Sequence, residues 1–582
     1  MKLQKLIISN FRGLKGENNR IDFANSDIIF LIGQNNVGKS TYLHAYEFFV
    51  NPKQVASIED FYNYDPSNSI VMEGHFLKEN DDENDTDLSK KGKSTEPDWV
   101  SKWVDDNSIV RIKKTWKQGG SCFEKETYSP KDNDWVPNGF GGFDTLFSKY
   151  APEPIFINAM EDEKSLQDKV NKLLQDKYLK TIKDNQSELY NSALESIKKL
   201  QNAITETDDV RTLNERLNAH FKEIFSNLSL KIEASKAEEI DLSASFKKNY
   251  TVSVEKVDSA RKETFLQNGH GVIRQALFNF ISFLKESGDD TQKKYLILFE
   301  EPELFLHPKI TFKLRSSLYD LANNSPYQIL CATHSPMMID VSKPHSSLIR
   351  AIKNDDEETR TYQVGEDVFA KNSERKNRVQ MINRFNPHIC EAFYADEVLL
   401  VEGDTETIVY RDLLKRFYPE KEVYVLNTGS KANIPFFQEV LTAFHIKHCV
   451  IHDMDTEKTM RKGVEIKNPA WAHNKTIWDL VVEANKIESG LARRYVHNAN
   501  FENAHKYNLL SGKDKPLQAF RFAQTIQDIN ADVDCLKWLN DYLGDPQINH
   551  DMDYINNNAK TKQEIEKEEE TYTNLPNQNN DS

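Results

Sequence analysis

Ile28-Ile29-Phe30-Leu31-Ile32-Gly33-Gln34-Asn35-Asn36-Val37-Gly38-Lys39-Ser40 is the stretch that decides the N-terminal half of the chain. Five consecutive apolar residues read as a buried strand, Gly33 to Ser40 matches G-x-x-x-x-G-K-[ST], and the residues beyond read as a helix. In that strand, loop and helix setting, the glycines let the backbone curl so that its N–H groups, from Gly33 through Gln34, Asn35, Asn36, Val37 and Gly38, converge on phosphate oxygens. The positive end of the following helix adds to the attraction. Lys39 then reaches the β- and γ-phosphates, Ser40 ligates magnesium, and Thr41 completes an ATP-binding set.

Working outward, Tyr295-Leu296-Ile297-Leu298-Phe299 is a second buried strand, and it delivers Glu300 and Glu301. Directly behind five apolar residues they make poor surface glutamates. Glu300 suits the magnesium shell, and Glu301 suits orienting an attacking water. A third apolar strand, Gln328 to Ala332, ends at Thr333-His334-Ser335, where His334 either senses the γ-phosphate or is a structural strand-end histidine.

The C-terminal half carries a second kind of site. Val398-Leu399-Leu400-Val401 delivers Glu402 to a turn at Gly403, and Glu406 lies four residues on, at the start of a predicted helix Thr405 to Arg416. Val423 to Asn427 is the next strand, followed by Thr428-Gly429-Ser430-Lys431. Cys449-Val450-Ile451-His452 then ends in Asp453-Met454-Asp455. This β-α-β-α-β order puts the acids at the carboxyl ends of parallel strands, where open α/β sheets bind ligands. Clustered carboxylates repel and stay ionised only with bound cations, so two Mg2+ (or Mn2+) ions are expected, fit for phosphodiester chemistry. Nuclease, primase and topoisomerase all remain open on that ground. His445, His448, Cys449 and His452 hint at zinc, but period-two geometry sends Cys449 to the opposite face from His448 and His452.

Composition bounds the rest. The chain has 582 residues, room for two or three domains, and a net charge of −16 that disfavours indiscriminate polyanion binding. Any nucleic-acid contact then falls to local basic patches: Lys371, Arg375, Lys376, Arg378 and Arg384; Lys102, Arg111, Lys113, Lys114 and Lys117; or Lys458, Arg461, Lys462 and Lys467. Each is equally readable as a solvated face. No apolar run is long enough for a membrane span and the N-terminus reads as a strand, so a cytoplasmic protein is expected. Five scattered cysteines without a C-x-x-C pair fit reduced thiols. The segment from about 161 to 236 has helical periodicity, readable as an oligomerising arm or a surface layer. The last 25 or so residues, from Asn557, read as frayed.

Asn10-Phe11-Arg12-Gly13-Leu14, the phosphate loop, Phe299-Glu300-Glu301-Pro302-Glu303-Leu304-Phe305-Leu306-His307-Pro308 and Thr333-His334-Ser335-Pro336 resemble the ABC-type ATPase heads of RecF, SMC and OLD (overcoming lysogenisation defect) proteins. Asn268 to Gln275 resembles their signature segment, with Asn268 where serine is common. The acidic half resembles the Toprim domain, and an ABC-type head followed by Toprim resembles the OLD nucleases, including Gabija-type and retron-associated antiviral effectors. The implied fold class is α/β: a P-loop ATPase head with a helical insertion arm, then a Toprim Rossmann-like domain. The implied layout is a head at 1–160 and 241–351, an arm at 161–240, a linker at 352–394, Toprim at 395–545 and a tail at 546–582. On that resemblance Glu402, Glu406, Asp453 and Asp455 match metal-binding acids, Glu502 matches a late acid, and Lys515 a late lysine that steadies transition-state charge. The implied activity is an ATP-regulated, metal-dependent DNA endonuclease of antiphage defence, assembled as a dimer or dimer of dimers. Its implied partners are DNA and a helicase or a retron reverse transcriptase; the alternative is a non-nucleolytic, SMC- or RecF-like scaffold.

Overall fold

The computed structural model describes residues 1–16, 19–79, 102–140, 144, 147–159, 165, 169, 208–224, 228–234, 250–256, 262–263, 279, 294–323, 326–340, 348–354, 358–364, 387–461, 463–508 and 514–574. The helical stripes expected between Leu166 and Ile204, the signature-like segment Asn268 to Gln275, and the basic run Lys371 to Arg384 lie outside the described residues. The chain divides into two compact units, Met1–Met338 with Ala351–Thr361, and Ile339–Arg350 with Tyr362–Ser582.

The first unit holds one six-stranded sheet and most of a second. Its early strands are β1 (Lys2–Ser9), β2 (Asn19–Asp22), β3 (Ile28–Ile32), β4 (Ile70–Leu77), β5 (Ile109–Trp116), β6 (Glu124–Ser129), β7 (Asp134–Pro137) and β8 (Glu153–Ile157). The order β2-β1-β4-β5-β6-β7 makes an antiparallel sheet. Its inner strands alternate, with Ile70, Met72 and Phe76 of β4 and Val110, Ile112 and Trp116 of β5 turned inward. That alternation is the mark of a sheet with one dry face. Further along, β9 (Leu228–Ala234), β10 (Tyr250–Lys256) and β11 (Lys262–Glu263) form a small antiparallel sheet.

The second large sheet positions the nucleotide motif. With β12 (Tyr295–Glu300), β13 (Tyr327–Ala332), β14 (Leu348–Lys353) and β15 (Thr359–Gln363), its order is β15-β14-β3-β13-β12-β8. Every residue of β3 and β13 is buried, and so are the first five of β12, as expected of parallel strands covered on both faces. Register aligns Leu31 with Ala332 and Ala332 with Glu300. Three strands therefore end side by side, and the residues that follow them, from Gly33, Glu301 and Thr333, gather at one sheet edge.

In the second unit β16 (Glu397–Val401), β17 (Val423–Asn427), β18 (Lys447–Asp453) and, after a hairpin of β19 (Lys458–Arg461) and β20 (Val464–Lys467), β21 (Ala492–His497) run parallel in the order β17-β16-β18-β21. Strand order reverses about β16, a topological switch point of the kind where such sheets bind ligands. Period-two alternation sends Leu399, Val401, Val425, Cys449 and Ile451 to one face. There they pack with Val409 and Leu413 of the helix Asp404–Phe417, Phe522 of Lys515–Thr525 and Trp538 of Asp534–Leu543.

The expectation of a frayed end is corrected as far as Asn574. Met552–Asn558 and Lys562–Glu569 are helices, and β22 (Tyr507–Asn508) pairs with β23 (Thr573–Asn574). The physical reasons are local. Ile555 is fully buried beside Met454 and Val496, Thr561 and Glu564 form a reciprocal capping box, and Asn503 Nδ2 donates to Glu569 Oε1 at 2.9 Å. One buried anchor and one cap suffice where polar composition shows no periodicity.

Candidate nucleotide and acidic sites

The loop Gly33 to Lys39 turns sharply: Gly33 has φ +147°, Asn36 +63° and Gly38 +89°. A Cβ at Gly33 would meet the Ala351 carbonyl oxygen at 2.2 Å, so glycine is required there. The ammonium of Lys39 donates to Gly33 O at 2.9 Å and Gln34 O at 2.5 Å, and lies 3.3 Å from His334 Nδ1. A lysine donates only, so Nδ1 accepts and Nε2 carries the proton that faces Glu301 Oε1 at 3.3 Å. Lys39, His334 and Glu301 thus form one polar chain. Ser40 Oγ donates to Glu300 Oε1. Burial lowers the Lys39 pKa to about 8 against the pull of Glu301 and Glu303. His334 is lowered too, by burial and then by Lys39, which favours the neutral ring.

Sequence reasoning gave Glu303 no role. Its Oε1 accepts from Thr333 Oγ1 at 2.7 Å, His334 N at 2.9 Å and Ser335 N at 3.1 Å, tying the turn after β12 to the end of β13. It stands inside the motif Phe299 to Pro308, but its contacts were not legible there because its partners lie 30 to 32 positions away.

In the second unit one open pocket of about 330 Å³ is lined by Glu402, Glu406, Asp453, Gly403, Lys515 and Ser430, among others. Glu402 follows β16, Asp453 ends β18, and Glu406 stands in the first turn of Asp404–Phe417, where the helix N-terminus favours a negative charge. Burial raises the pKa of all three, to about 7 for Glu406 and well above the usual carboxylate range for Asp453, and the acids raise one another further. Asp453 Oδ1 is enclosed without a hydrogen-bond partner. A buried oxygen without a donor and three carboxyls that resist ionisation are the chemistry a hard divalent cation answers, so these side chains fit such an ion. As the side chains stand, no three His, Cys, Asp or Glu among the described residues already enclose a point suited to one.

The remaining candidates are near but engaged. Asp455 Oδ2 accepts from Lys431 Nζ at 2.5 Å, and Glu502 Oε1 lies 3.0 Å from Lys515 Nζ. Lys431 was missed, although its turn follows the strand next to β16. Cys449 packs in the core of the face opposite His448 and His452, whose Nδ1 atoms lie on the carbonyls of Ile446 and Asp453, so the strand does not turn the cysteine and these histidines toward one point.

The basic patch around β5 is largely neutralised. Lys114 is buried against Asp144 at 2.5 Å, Arg111 pairs with Glu73, Lys113 with Glu126 and Lys117 with Glu124. In the third patch Lys458 pairs with Glu465, and Lys462 lies outside the described residues. Among the described residues no helix is long and apolar enough to cross a membrane.

These features define a P-loop ATPase head carried in one chain with a Toprim-type acidic α/β domain. A family model described as AAA ATPase domain matches residues 1–339, and one described as overcoming lysogenization defect protein-like, TOPRIM domain matches residues 393–455. The chain belongs to the AAA ATPase domain family, and its acidic half matches the OLD-like Toprim domain over residues 393–455. It is 24% identical over 489 residues to the Old nuclease of Escherichia phage P2, spanning 78% of this chain and 77% of that one. It is 22% identical over 587 residues to endonuclease GajA of Bacillus cereus (strain HuB5-5), spanning 84% and 82%. An SMC head domain from Thermotoga maritima aligns with 62% of this chain and 99% of its own at 14% identity and a TM-score of 0.32. Glu502 and Lys515 lie beyond the matched Toprim residues.

Proposed function

We propose that this protein is a divalent-metal-dependent DNA endonuclease, with Glu402, Glu406 and Asp453 as the ion-binding acids and the P-loop head as its regulator. The observation that carries the reading is the enclosed, unpartnered Asp453 Oδ1 between two further buried carboxyls at a switch point of the sheet. A bound Mg2+ or Mn2+ would supply Lewis acidity and an activated water. The chain's own contribution is positional. Glu402 is oriented by the Asp453 N–H at 3.4 Å, and Asp453 is fixed by the parallel pairing of β18 with β21. Lys515 is 56% exposed on the pocket rim, free to swing from Glu502 toward a phosphate that gains charge as the bond breaks.

In the head, Lys39 and Ser40 are the phosphate and magnesium groups, Glu300 supports the ion, and Glu301 with His334 orients water. Nucleotide binding then shifts the population of head arrangements, and the nuclease responds. The named relatives are nucleases, which supports DNA as substrate; dimeric assembly and an antiphage role follow the family resemblance. The test gives purified protein supercoiled and linear DNA with Mg2+ or Mn2+, with and without ATP. Metal-dependent cutting whose rate changes with ATP, and loses that response in Lys39→Ala, is expected. Intact DNA under every condition would remove the nuclease reading.

A further inference from the structure

We propose that Lys431 is a resident cation of the acidic site, occupying through Asp455 the place of a second divalent ion, so that this chain takes one ion at Glu402, Glu406 and Asp453. The purpose of the site rests on the nuclease reading above; the charge count does not.

Five carboxylates gather here, and two are already answered by lysines, Asp455 by Lys431 and Glu502 by Lys515. The two lysines differ. Lys515 is more than half exposed and makes one ion pair, so it is easily drawn away. The Lys431 side chain is 3% exposed, and its ammonium donates to Asp453 O at 2.5 Å, Met454 O at 3.3 Å and Asp455 Oδ2 at 2.5 Å. Those three acceptors use the three N–H bonds an ammonium has. An ion arriving on Asp455 Oδ2 would have to displace this buried ammonium from its carboxylate partner.

The backbone is built around the same contact. Lys431 leaves the turn after β17, where Gly429 has φ +73° and Asn433 Nδ2 closes on Thr428 O at 2.8 Å. It reaches past the end of β16 to the loop after β18, where its charge also acts on Glu402. Asp455 has φ +63°, a left-handed conformation that a non-glycine residue keeps only when its surroundings hold it. Asp453 Oδ1, by contrast, has no donor. The geometry thus divides the Asp-x-Asp pair: the first acid faces the ion, and the second is the anchor for the lysine that shapes the loop. Three carboxyls remain outside the two lysine ion pairs, a number suited to one divalent ion with open positions for water and phosphate.

The test counts Mn2+ bound per full chain by electron paramagnetic resonance and calorimetry, without nucleotide. One tight ion is expected in the wild type, lost in Asp453→Asn and retained within a few-fold in affinity in Asp455→Asn. Lys431→Met frees Asp455, so a second Mn2+ is expected there and should vanish again in Lys431→Met with Asp455→Asn. Two tight ions in the wild type, one of them removed by Asp455→Asn, would overturn the proposal, and that comparison stands even if Lys431→Met fails to fold. No tight Mn2+ in the wild type would overturn it as well. One bound ion without DNA cleavage would sink the nuclease reading alone.

Discussion

Neutralising Glu406 probes the acidic pocket through stability, independently of catalysis. Its residue is 4% exposed, and burial together with Glu402 and Glu502 raises the carboxyl from 4.5 to about 7, against its own backbone N–H and Lys515. That gap corresponds to about 3 kcal/mol. The sign follows from proton uptake. Between pH 4.5 and 7 the folded chain holds a proton the unfolded chain has lost, so metal-free stability falls as pH rises through this window. Above about pH 7 the ionised group carries the full penalty unless a cation answers it. Glu402 and Asp453, also raised, act in the same direction.

Glu406→Gln in EDTA is therefore expected to melt roughly 6–12 °C above wild type at pH 8, in the transition of the C-terminal unit, and nearly with it at pH 5. Saturating Mn2+ should narrow the difference at pH 8 by stabilising wild type more than the variant. Calorimetric scans across pH 5 to 8, with EDTA or Mn2+, measure both. A metal-free wild type that becomes more stable from pH 5 to 8, with Glu406→Gln tracking it throughout, would refute the reasoning.

Other outcomes follow from single contacts. Lys39→Ala removes the ammonium at the centre of the loop and is expected to weaken ATP binding at least about tenfold, read by fluorescent-nucleotide titration, with the melting of the C-terminal unit unchanged. Gly33→Ala drives a Cβ toward Ala351 O at a φ of +147°, so the N-terminal unit should lose about 1–3 kcal/mol in denaturant melts and bind ATP more weakly. Lys515→Ala should retain Mn2+ affinity while DNA cleavage drops on the order of 10²-fold, read as a fall in maximal rate rather than in ion affinity.

The parts legible in the sequence share one property: they are written locally. The phosphate loop sits between an apolar strand and a helix, and Glu300, Glu301, Glu402 and Asp453 each close a run of apolar residues, so strand ends could be read without knowing strand order. Lys431 and Glu303 were not legible as working residues, because their roles exist only once β17 lies beside β16 and β12 beside β13. Asp455 carried the right chemistry for an ion, but sequence could not show that a lysine 24 positions earlier already holds it. The C-terminal segment misled for the opposite reason. Its polar composition outweighed Ile555 and the Thr561–Glu564 box, which fix it to the fold.

The central claim is that phosphodiester cleavage runs on the Glu402, Glu406 and Asp453 pocket. Its most direct test is the initial rate of supercoiled-plasmid nicking in Mn2+ by wild type and by Asp453→Asn, both shown by melting to be folded. Cleavage by the wild type and at least a 10²-fold loss in the variant is the predicted result. Equal rates from the two proteins would contradict it.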